Sequence, residues 1–393
     1  MKKVFLFSLF LVLGLVLSQC LPVWLGEAFL TAEKVAKTLM FVCLAFIMIN
    51  VGREFELDKT KWRSYAADYF IAMATAAVTW IMVAFYYMFL LPADLFGNWD
   101  AWKENLLLSR FAAPTSAGIL FTMLAAAGLR REWIYKKTQV LAIFDDLDTI
   151  LLMIPLQIFM IGFKWQLFAV VIVITFLLVI GWKKLGTIRL SQTWKSILFY
   201  AVCIVAVTES IYLLTKWMMG ADGAIHIEVL LPAFVLGMVM KTVHQHGNRD
   251  EKITGMISYL FMFLVGLSTP QFIGIDHGHR ITEAVGIIAA QPMPSWEVLI
   301  VHVIVVTLLS NLGKMFPLFF YRDRQLEERL ALSVGMFTRG EVGAGIIVIA
   351  MGYNLGGPAL IISVLSLVLN LLLTGGFVVI VKRLAQQAYG LKE

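Results

Sequence analysis

The sequence has few charged residues, few cysteines and no long polar segment. Only 15% of its 393 residues are charged, whereas 60% are apolar, and the mean hydropathy is +0.84. This composition excludes an ordinary soluble domain, which carries about 25% charged residues. The three cysteines, Cys20, Cys43 and Cys203, stand in apolar runs without paired spacing. They predict core thiols, and they exclude a disulfide framework and a thiolate metal site.

Long apolar runs make up most of the chain. A helix that crosses a membrane needs about 20 apolar residues, and the runs between breakers predict twelve such helices. Span 1 has the basic start of a signal peptide but no cleavage pattern after it, so we expect a retained helix. The predicted spans 1 to 12 are 4–21, 36–52, 67–91, 105–128, 137–162, 165–181, 194–217, 225–241, 252–270, 296–321, 329–351 and 358–381.

Basic residues are distributed unevenly between the two sides of the predicted membrane domain. Most of the 32 lysines and arginines lie at the termini and in the loops that follow even-numbered spans. Cytoplasmic loops are enriched in these residues, so we expect both termini in the cytoplasm. The apolar stretch within 271–295 is too short to cross and is expected outside. The net charge of +6 then reflects topology, and no nucleic acid is expected as a partner.

The two halves of the chain show a short internal similarity. Span 2 ends in Met-Ile-Asn-Val-Gly at 48–52, and span 9 contains Met-Phe-Leu-Val-Gly at 262–266. Span 4 is interrupted by small residues and proline at 112–118, and span 11 is interrupted by glycines at 338–345. Both matches are seven spans apart, and an odd offset reverses orientation. We therefore predict two inverted repeats with crossed broken spans 4 and 11, as in secondary transporters. The first repeat, the linking helices and the second repeat would cover about 1–162, 163–217 and 225–382.

Three acidic residues lie within four positions of span 5. They are Asp145, Asp146 and Asp148, and a charge at bilayer depth costs at least about 2.5 kcal/mol. Neighbouring helical positions point about 100° apart, so one aspartate can line a cavity while the next faces another helix. Carboxylate oxygens suit hard cations such as sodium. The cluster predicts a cation or proton site, and structural ion pairing is the alternative for any single aspartate.

A lysine and the break of span 4 supply further polar groups at membrane depth. Lys314, in the middle of span 10, is expected to pair with an aspartate of span 5. This bridge would be either structural or a coupling device that opens when a cation binds. In span 4, Pro114 frees backbone carbonyls, while Thr115 and Ser116 offer hydroxyl oxygens. These oxygens are expected to assist the aspartates.

Four other charged residues and a histidine fall inside spans. Arg339 and Glu341 in span 11 are expected mainly to neutralise the ends of broken helices. Glu209 in span 7 is expected to be a satisfied buried acid, and Arg110 is expected to extend toward the outer interface. We expect His302 to be packed rather than to act as a ligand. The roles of Glu209 and Asp148 remain open at this point.

With these residues, the chain resembles the bacterial cation:proton antiporters, of the cation:proton antiporter-2 type, in the superfamily that includes the sodium/proton exchangers. The resemblance covers nearly the whole chain, from 52–57 at the end of span 2 to span 12. Its most specific parts are the Asp145-Asp146 pair, the break at 114–116, Lys314 and the run at 339–342.

The resemblance implies a mechanism and an assembly. In such proteins the residue matching Asp146 is the main cation and proton ligand, and the residue matching Asp145 pairs with the lysine and marks electrogenic members. A homodimer in the bacterial inner membrane is implied, with a core of spans 3–5 and 10–12. This core would move elevator-fashion against a dimerisation part from spans 1–2 and 8–9. Asp148 stands where many relatives have glycine, which leaves ion choice and stoichiometry open.

The sequence leads to the hypothesis of exchange of Na⁺ or Li⁺ for H⁺ without a cofactor. Potassium/proton exchange is the nearest alternative, and a sodium-coupled symporter of an organic anion is a more distant one. An intramembrane aspartyl protease also uses two aspartates, but on separate helices with a signature that is absent here. A sensor or scaffold that transports nothing is the remaining class.

Overall fold

The computed structural model shows an all-helical chain. An isolated bridge between Ile188 and Met240 is the only β pairing in the part that it describes. The described residues are 2–26, 28–54, 60, 62–161, 166–184, 186–219, 229–240, 248–268, 286–288, 290–353 and 355–390. Most of the predicted outer segment 271–295 therefore lies outside the described residues. The helices are α1 Lys2–Leu25, α2 Ala28–Glu54, α3 Trp62–Phe89, α4 Trp99–Ser109, α5 Ala117–Ala126, α6 Trp133–Ile161, α7 Gln166–Lys183, α8 Trp194–Met219, α9 Leu230–Val239, α10 Asn248–Leu267, α11 Trp296–Gly313, α12 Leu326–Gly335, α13 Glu341–Gly352 and α14 Gly357–Tyr389.

Five apolar helical segments among the described residues are long enough to cross a membrane. The second of them joins α4 and α5 through the predicted break of span 4. Further apolar helices are shorter within the described residues, such as Leu9–Leu21 and Lys252–Leu267. The five segments are Trp62–Phe89, Trp99–Ala125, Trp194–Met218, Trp296–Phe319 and Gly357–Tyr389.

The chain forms two compact units. Unit 1 consists of Met1–Trp24, Lys61–Met160 and Val265–Glu393, and unit 2 consists of Leu25–Thr60 and Ile161–Leu264. Each unit is therefore assembled from segments that are distant in sequence.

Unit 2 is built around a close contact between α2 and α9. Gly52 on α2 and Gly237 on α9 face one another, and a Cβ atom on either would overlap a backbone carbonyl of the other helix. Near the same end of α2, Arg53 donates hydrogen bonds to Asn50 at 3.0 Å and to Gln192 at 3.2 Å. Small residues let membrane helices approach closely and gain van der Waals contact. The glycine that ends span 2 thus has a packing role.

The exposure of Cys203 in unit 2 differs from the predicted burial of this thiol. Cys43 on α2 is buried, but Cys203 on α8 is exposed. The apolar run around Cys203 is an outward-facing helix surface, and an apolar sequence alone does not distinguish such a surface from a core. The prediction of a core thiol at Cys203 was therefore wrong.

Unit 1 contains the two broken spans. The helix α4 ends at Ser109, a 3-10 turn follows at Arg110–Ala112, and α5 begins at Ala117. The second break separates α12, which ends at Gly335, from α13, which begins at Glu341. The predicted interruptions of spans 4 and 11 are confirmed. Each break leaves the backbone groups of two helix ends unpaired, and at membrane depth these groups need partners within the protein.

The two breaks supply these partners to one another. The Ser116 amide donates to the Thr338 carbonyl at 3.0 Å, and the Thr115 hydroxyl donates to the Met336 carbonyl at 3.1 Å. A Cβ atom at Gly340 would lie 2.7 Å from Ser116 Oγ, so only glycine allows this approach. The broken helices therefore cross in contact, as the fold prediction requires.

We expect Gly237→Ala to lower the free energy of unfolding by about 1–3 kcal/mol, because the new methyl group overlaps the Ile49 carbonyl. The control is Gly255→Ala on α10, where the added carbon meets nothing within 4 Å. Thermal unfolding in detergent, followed by circular dichroism, measures both changes. Equal melting temperatures for the two variants would show that the α2–α9 contact can relax freely.

Candidate functional site

The crossing of the two breaks places polar groups next to α6. Ser116 caps the N-terminus of α5, and its hydroxyl accepts from the Ile119 amide at 3.4 Å. The preceding Thr115 is fully buried, and its backbone amide points at the carboxylate of Asp145. The start of α5 thus presents the positive end of its helix dipole to the acidic stretch of α6, together with the Thr115 amide, which is not used within the helix.

Asp145 accepts two hydrogen bonds from outside α6. Its Oδ2 atom accepts from the Thr115 amide and from Lys314 Nζ, each at 2.7 Å. Both partners of the Asp145–Lys314 ion pair are 0% exposed. The second oxygen, Oδ1, makes no hydrogen bond within the described residues. Asp145 therefore keeps one oxygen available to a bound cation or a proton.

Lys314 reaches Asp145 from the end of a helix. The prediction placed it in the middle of span 10, but α11 ends at Gly313 and Lys314 is its C-cap residue. A short 3-10 helix, Phe316–Phe319, follows with Pro317 in its first turn. Proline lacks the backbone N–H that would continue the α-helix, so it favours this interruption. A C-terminal helix end favours a positive charge, so this position supports the ammonium group in addition to the ion pair.

Asp146 is the next residue on α6 and is also buried, at 1% exposed. Successive side chains on a helix point about 100° apart, so Asp146 projects from a different side of α6 than Asp145. The geometry thus separates the two adjacent carboxylates, with Asp145 directed at Lys314 and the break of span 4.

Arg339 stabilises the second break by binding carbonyl groups. It donates from Nη1 to the Met336 carbonyl at 2.9 Å and from Nη2 to the Ser310 carbonyl at 3.1 Å. These carbonyls lie close to the C-terminal ends of α12 and α11, where partial negative charge accumulates. Glu341 begins α13, but its side chain lies outside what the structure describes.

Arg110 departs from its prediction. Instead of extending toward the outer interface, it is 0% exposed and donates to Asp148 Oδ2 at 3.1 Å. The 3-10 turn after α4 directs it inward, where the third aspartate of α6 offers a countercharge that the sequence does not reveal. Asp148 is 2% exposed, and this ion pair accounts for its tolerance at membrane depth.

Two other residues singled out in the sequence are Glu209 and His302. Glu209 on α8 belongs to unit 2 and is half-buried, so the prediction of a buried acid was wrong. His302 on α11 is half-buried, and its Nδ1 atom is 2.8 Å from the Tyr86 hydroxyl. It is a packed histidine, as predicted.

The sequence analysis missed a further ion pair, between the buried Asp68 and the half-buried Lys137. Asp68 on α3 accepts from Lys137 on α6 at 2.8 Å and from the Tyr321 hydroxyl at 2.7 Å. Both residues lie at the predicted start of a span, Asp68 in span 3 and Lys137 in span 5, where charges are common. No local pattern distinguished this pair from a solvated pair of charges.

The charges at the crossing balance. The site holds three aspartates and three bases, of which Asp145 pairs with Lys314 and Asp148 with Arg110, while Arg339 binds carbonyl groups. Within the described residues, no group of three or more His, Cys, Asp or Glu side chains is arranged to hold a metal ion. Carboxylate and carbonyl oxygens are the ligands that hard cations prefer.

Comparisons with known proteins agree with this architecture. The chain is similar in structure to the sodium proton antiporter MjNhaP1 from Methanocaldococcus jannaschii at pH 8, with a TM-score of 0.59 and 14% sequence identity. The match covers 98% of this chain and 92% of that protein, and at this identity it shows the fold alone. No curated protein matches the chain.

The family comparison extends to the whole sequence. The model of the sodium/hydrogen exchanger transmembrane family matches residues 2–384. This range includes the acidic stretch of α6, both breaks and Lys314. The chain therefore belongs to the sodium/hydrogen exchanger family.

Proposed function

We propose that the chain exchanges Na⁺ or Li⁺ for H⁺ across the bacterial inner membrane, with both ions competing for Asp146. Membership of the exchanger family supports cation:proton antiport. The observation that carries the residue assignment is the buried pair Asp145-Asp146 beside two crossed helix breaks, with Lys314 2.7 Å from Asp145. The similarity to a sodium proton antiporter favours sodium as the cation.

The proposed exchange follows from the charges at the crossing. A dehydrated cation needs anionic and dipolar oxygens, which Asp146, Asp145 Oδ1 and the hydroxyls of Thr115 and Ser116 would supply. A proton on Asp146 removes the charge that attracts the cation. Binding of one ion therefore excludes the other, which is the condition for antiport.

Lys314 is proposed to couple the two ions. When a cation engages Asp145, the attraction that holds the lysine ammonium decreases, and the lysine can release a proton. One cation would then exchange for two protons, and one net charge would move in each cycle. Movement of one charge is worth about 2.3 kcal/mol per 100 mV of membrane potential. The transport would thus be electrogenic and would use the potential to export sodium.

We further propose the assembly that the resemblance implies. A homodimer would be formed through spans 1–2 and 8–9, and the core of spans 3–5 and 10–12 would carry the ion in an elevator-type movement. The basic loops support cytoplasmic termini. No cofactor is required, since the ions themselves are the cargo.

The first prediction concerns Asp146. We expect Asp146→Asn to reduce cation-dependent proton efflux from acid-loaded proteoliposomes to the level of protein-free vesicles, because a neutral amide cannot exchange a proton for a cation. Sodium, lithium and potassium are added in separate runs. If the wild type prefers potassium, potassium replaces sodium as the proposed cargo.

Glu209→Gln is the matched control, because it removes a half-buried acid that belongs to unit 2. This variant should exchange at the wild-type rate. Near-normal exchange by Asp146→Asn would remove Asp146 from the mechanism.

The second prediction concerns the Asp145–Lys314 pair. Removal of one partner of a buried pair leaves an unpaired charge, so Lys314→Ala should lower the free energy of unfolding by about 3–5 kcal/mol. The double variant Lys314→Ala/Asp145→Asn should recover part of this loss, since no charge is stranded. Melting in detergent compares the three proteins, and equal melting of Lys314→Ala and the wild type would contradict a stabilising bridge.

The third prediction concerns voltage. In wild-type proteoliposomes, an imposed inside-negative potential should change the rate of sodium-driven proton movement, whereas clamping at zero should remove that change. The physical reason is the net charge that moves in each cycle. Any variant of Lys314 that still exchanges should lose this voltage response. Rates in the wild type that do not depend on potential would show electroneutral exchange.

A further inference from the structure

The Arg110–Asp148 pair spans the same two elements that hold the proposed ion site. Arg110 begins the 3-10 turn in the break between α4 and α5, and Asp148 lies on α6 three residues after Asp145. The same break and the same helix are also joined by the hydrogen bond from the Thr115 amide to Asp145, at 2.7 Å. Asp146 therefore lies between two residues of α6 that are both tied to the break of span 4.

The guanidinium group of Arg110 is held on more than one side. Its carbon lies 5.0 Å from the centre of the Trp80 ring, a cation–π contact with α3. The Trp80 indole in turn donates to the Leu106 carbonyl of α4 at 2.7 Å. The contacts with α3 and α4 thus hold Arg110 and Trp80 in place independently of Asp148.

Asp148 is the hydrogen-bonding partner on which the buried arginine depends. Arg110 Nη2 donates to Asp148 Oδ2 at 3.1 Å, while Arg110 Nε and Nη1 make no hydrogen bond within the described residues. An arginine retains its charge in proteins, whereas a lysine can release its proton. The positive charge of the Arg110–Asp148 pair is therefore fixed, in contrast to that of the Asp145–Lys314 pair.

We propose that Arg110 and Asp148 form a positioning pair that sets the affinity of the neighbouring carboxylates for the transported cation, without carrying cation or proton themselves. This inference rests on the proposed antiport. Asp148 cancels a fixed positive charge that would otherwise repel the cation, and the pair ties α6 to the break. The third aspartate of the cluster thus serves the site through Arg110.

The test is a double-mutant cycle in proteoliposomes with wild type, Asp148→Asn, Arg110→Gln and the double variant. The measured quantities are the apparent KM for sodium, the maximal rate of proton movement and the melting temperature. Asp148→Asn should raise KM at least about tenfold, because an uncompensated guanidinium then remains near the site, with a smaller effect on the maximal rate. The double variant should return KM to within about threefold of the wild-type value, since no buried charge is left unpaired.

Asp68→Asn is the matched control, because it removes a buried aspartate that forms another ion pair with α6, with Lys137 at 2.8 Å. It should lower the melting temperature and leave KM unchanged. A purely structural role for Arg110–Asp148 would give the same result in Asp148→Asn, and would overturn the proposal. Where Asp148→Asn does not fold, Arg110→Gln decides: the uncompensated Asp148 carboxylate should then lower KM for sodium, and an unchanged KM would overturn the proposal.

A double variant with KM as high as that of Asp148→Asn, or higher, would show that Asp148 is itself a cation ligand and would also overturn the proposal. Failure of the proposed function gives a different result. The wild type would then show no sodium-, lithium- or potassium-dependent proton movement. Exchange by the wild type together with an unchanged KM in Asp148→Asn would reject the positioning pair alone.

Discussion

The structure depends on the need to satisfy broken helix ends and buried charges without water. Two helices that stop at membrane depth leave amides and carbonyls that each cost several kcal/mol if unpaired. The chain meets this constraint by crossing the breaks, so that the Ser116 amide binds the Thr338 carbonyl and the Thr115 hydroxyl binds the Met336 carbonyl. Arg339 binds further carbonyl groups at the same place. The hydrogen bonds between the two breaks thereby form a polar centre inside an apolar protein.

The acidic stretch of α6 uses this centre in two ways. Asp145 binds an amide released by the break and the ammonium of Lys314, while Asp148 binds the guanidinium of Arg110 from the same break. Both contacts fix α6, but they differ chemically because a lysine can lose its proton and an arginine cannot. Asp146 lies between them in the sequence. In the proposed mechanism, this arrangement gives a reason for three carboxylates where a simple ion pair would need one, with Asp146 for ion exchange and Asp148 for charge compensation.

Several features could be predicted from the sequence because they depend on composition and on local pattern. The apolar runs predicted the membrane helices, and the proline and glycines at 112–118 and 338–345 predicted the two breaks. Charges inside apolar spans identified Asp145, Asp146 and Lys314 as candidates, since such charges are expensive and therefore informative. The prediction for Arg110 failed because a 3-10 turn directs it inward to Asp148. The predictions for Glu209 and Cys203 failed for a reason that they share. The direction of a side chain depends on which face of its helix meets the rest of the protein, and the helices here lack a strong polar face.

The sequence by itself determined the class of protein and the membrane helices, and it identified the charged residues that are candidates for ion exchange. The sequence predicted the pairing of Lys314 with an aspartate of span 5, whereas the pairing of Arg110 with Asp148 was decided only by the tertiary structure. Arg110 and Asp148 are separated by 38 positions, and Lys314 and Asp145 by 169. Hydrophobicity acts on each segment independently of its neighbours, so it can be read along the chain. Hydrogen bonds and ion pairs act over about 3 Å, so they exist only after the packing of distant helices has brought the two groups together.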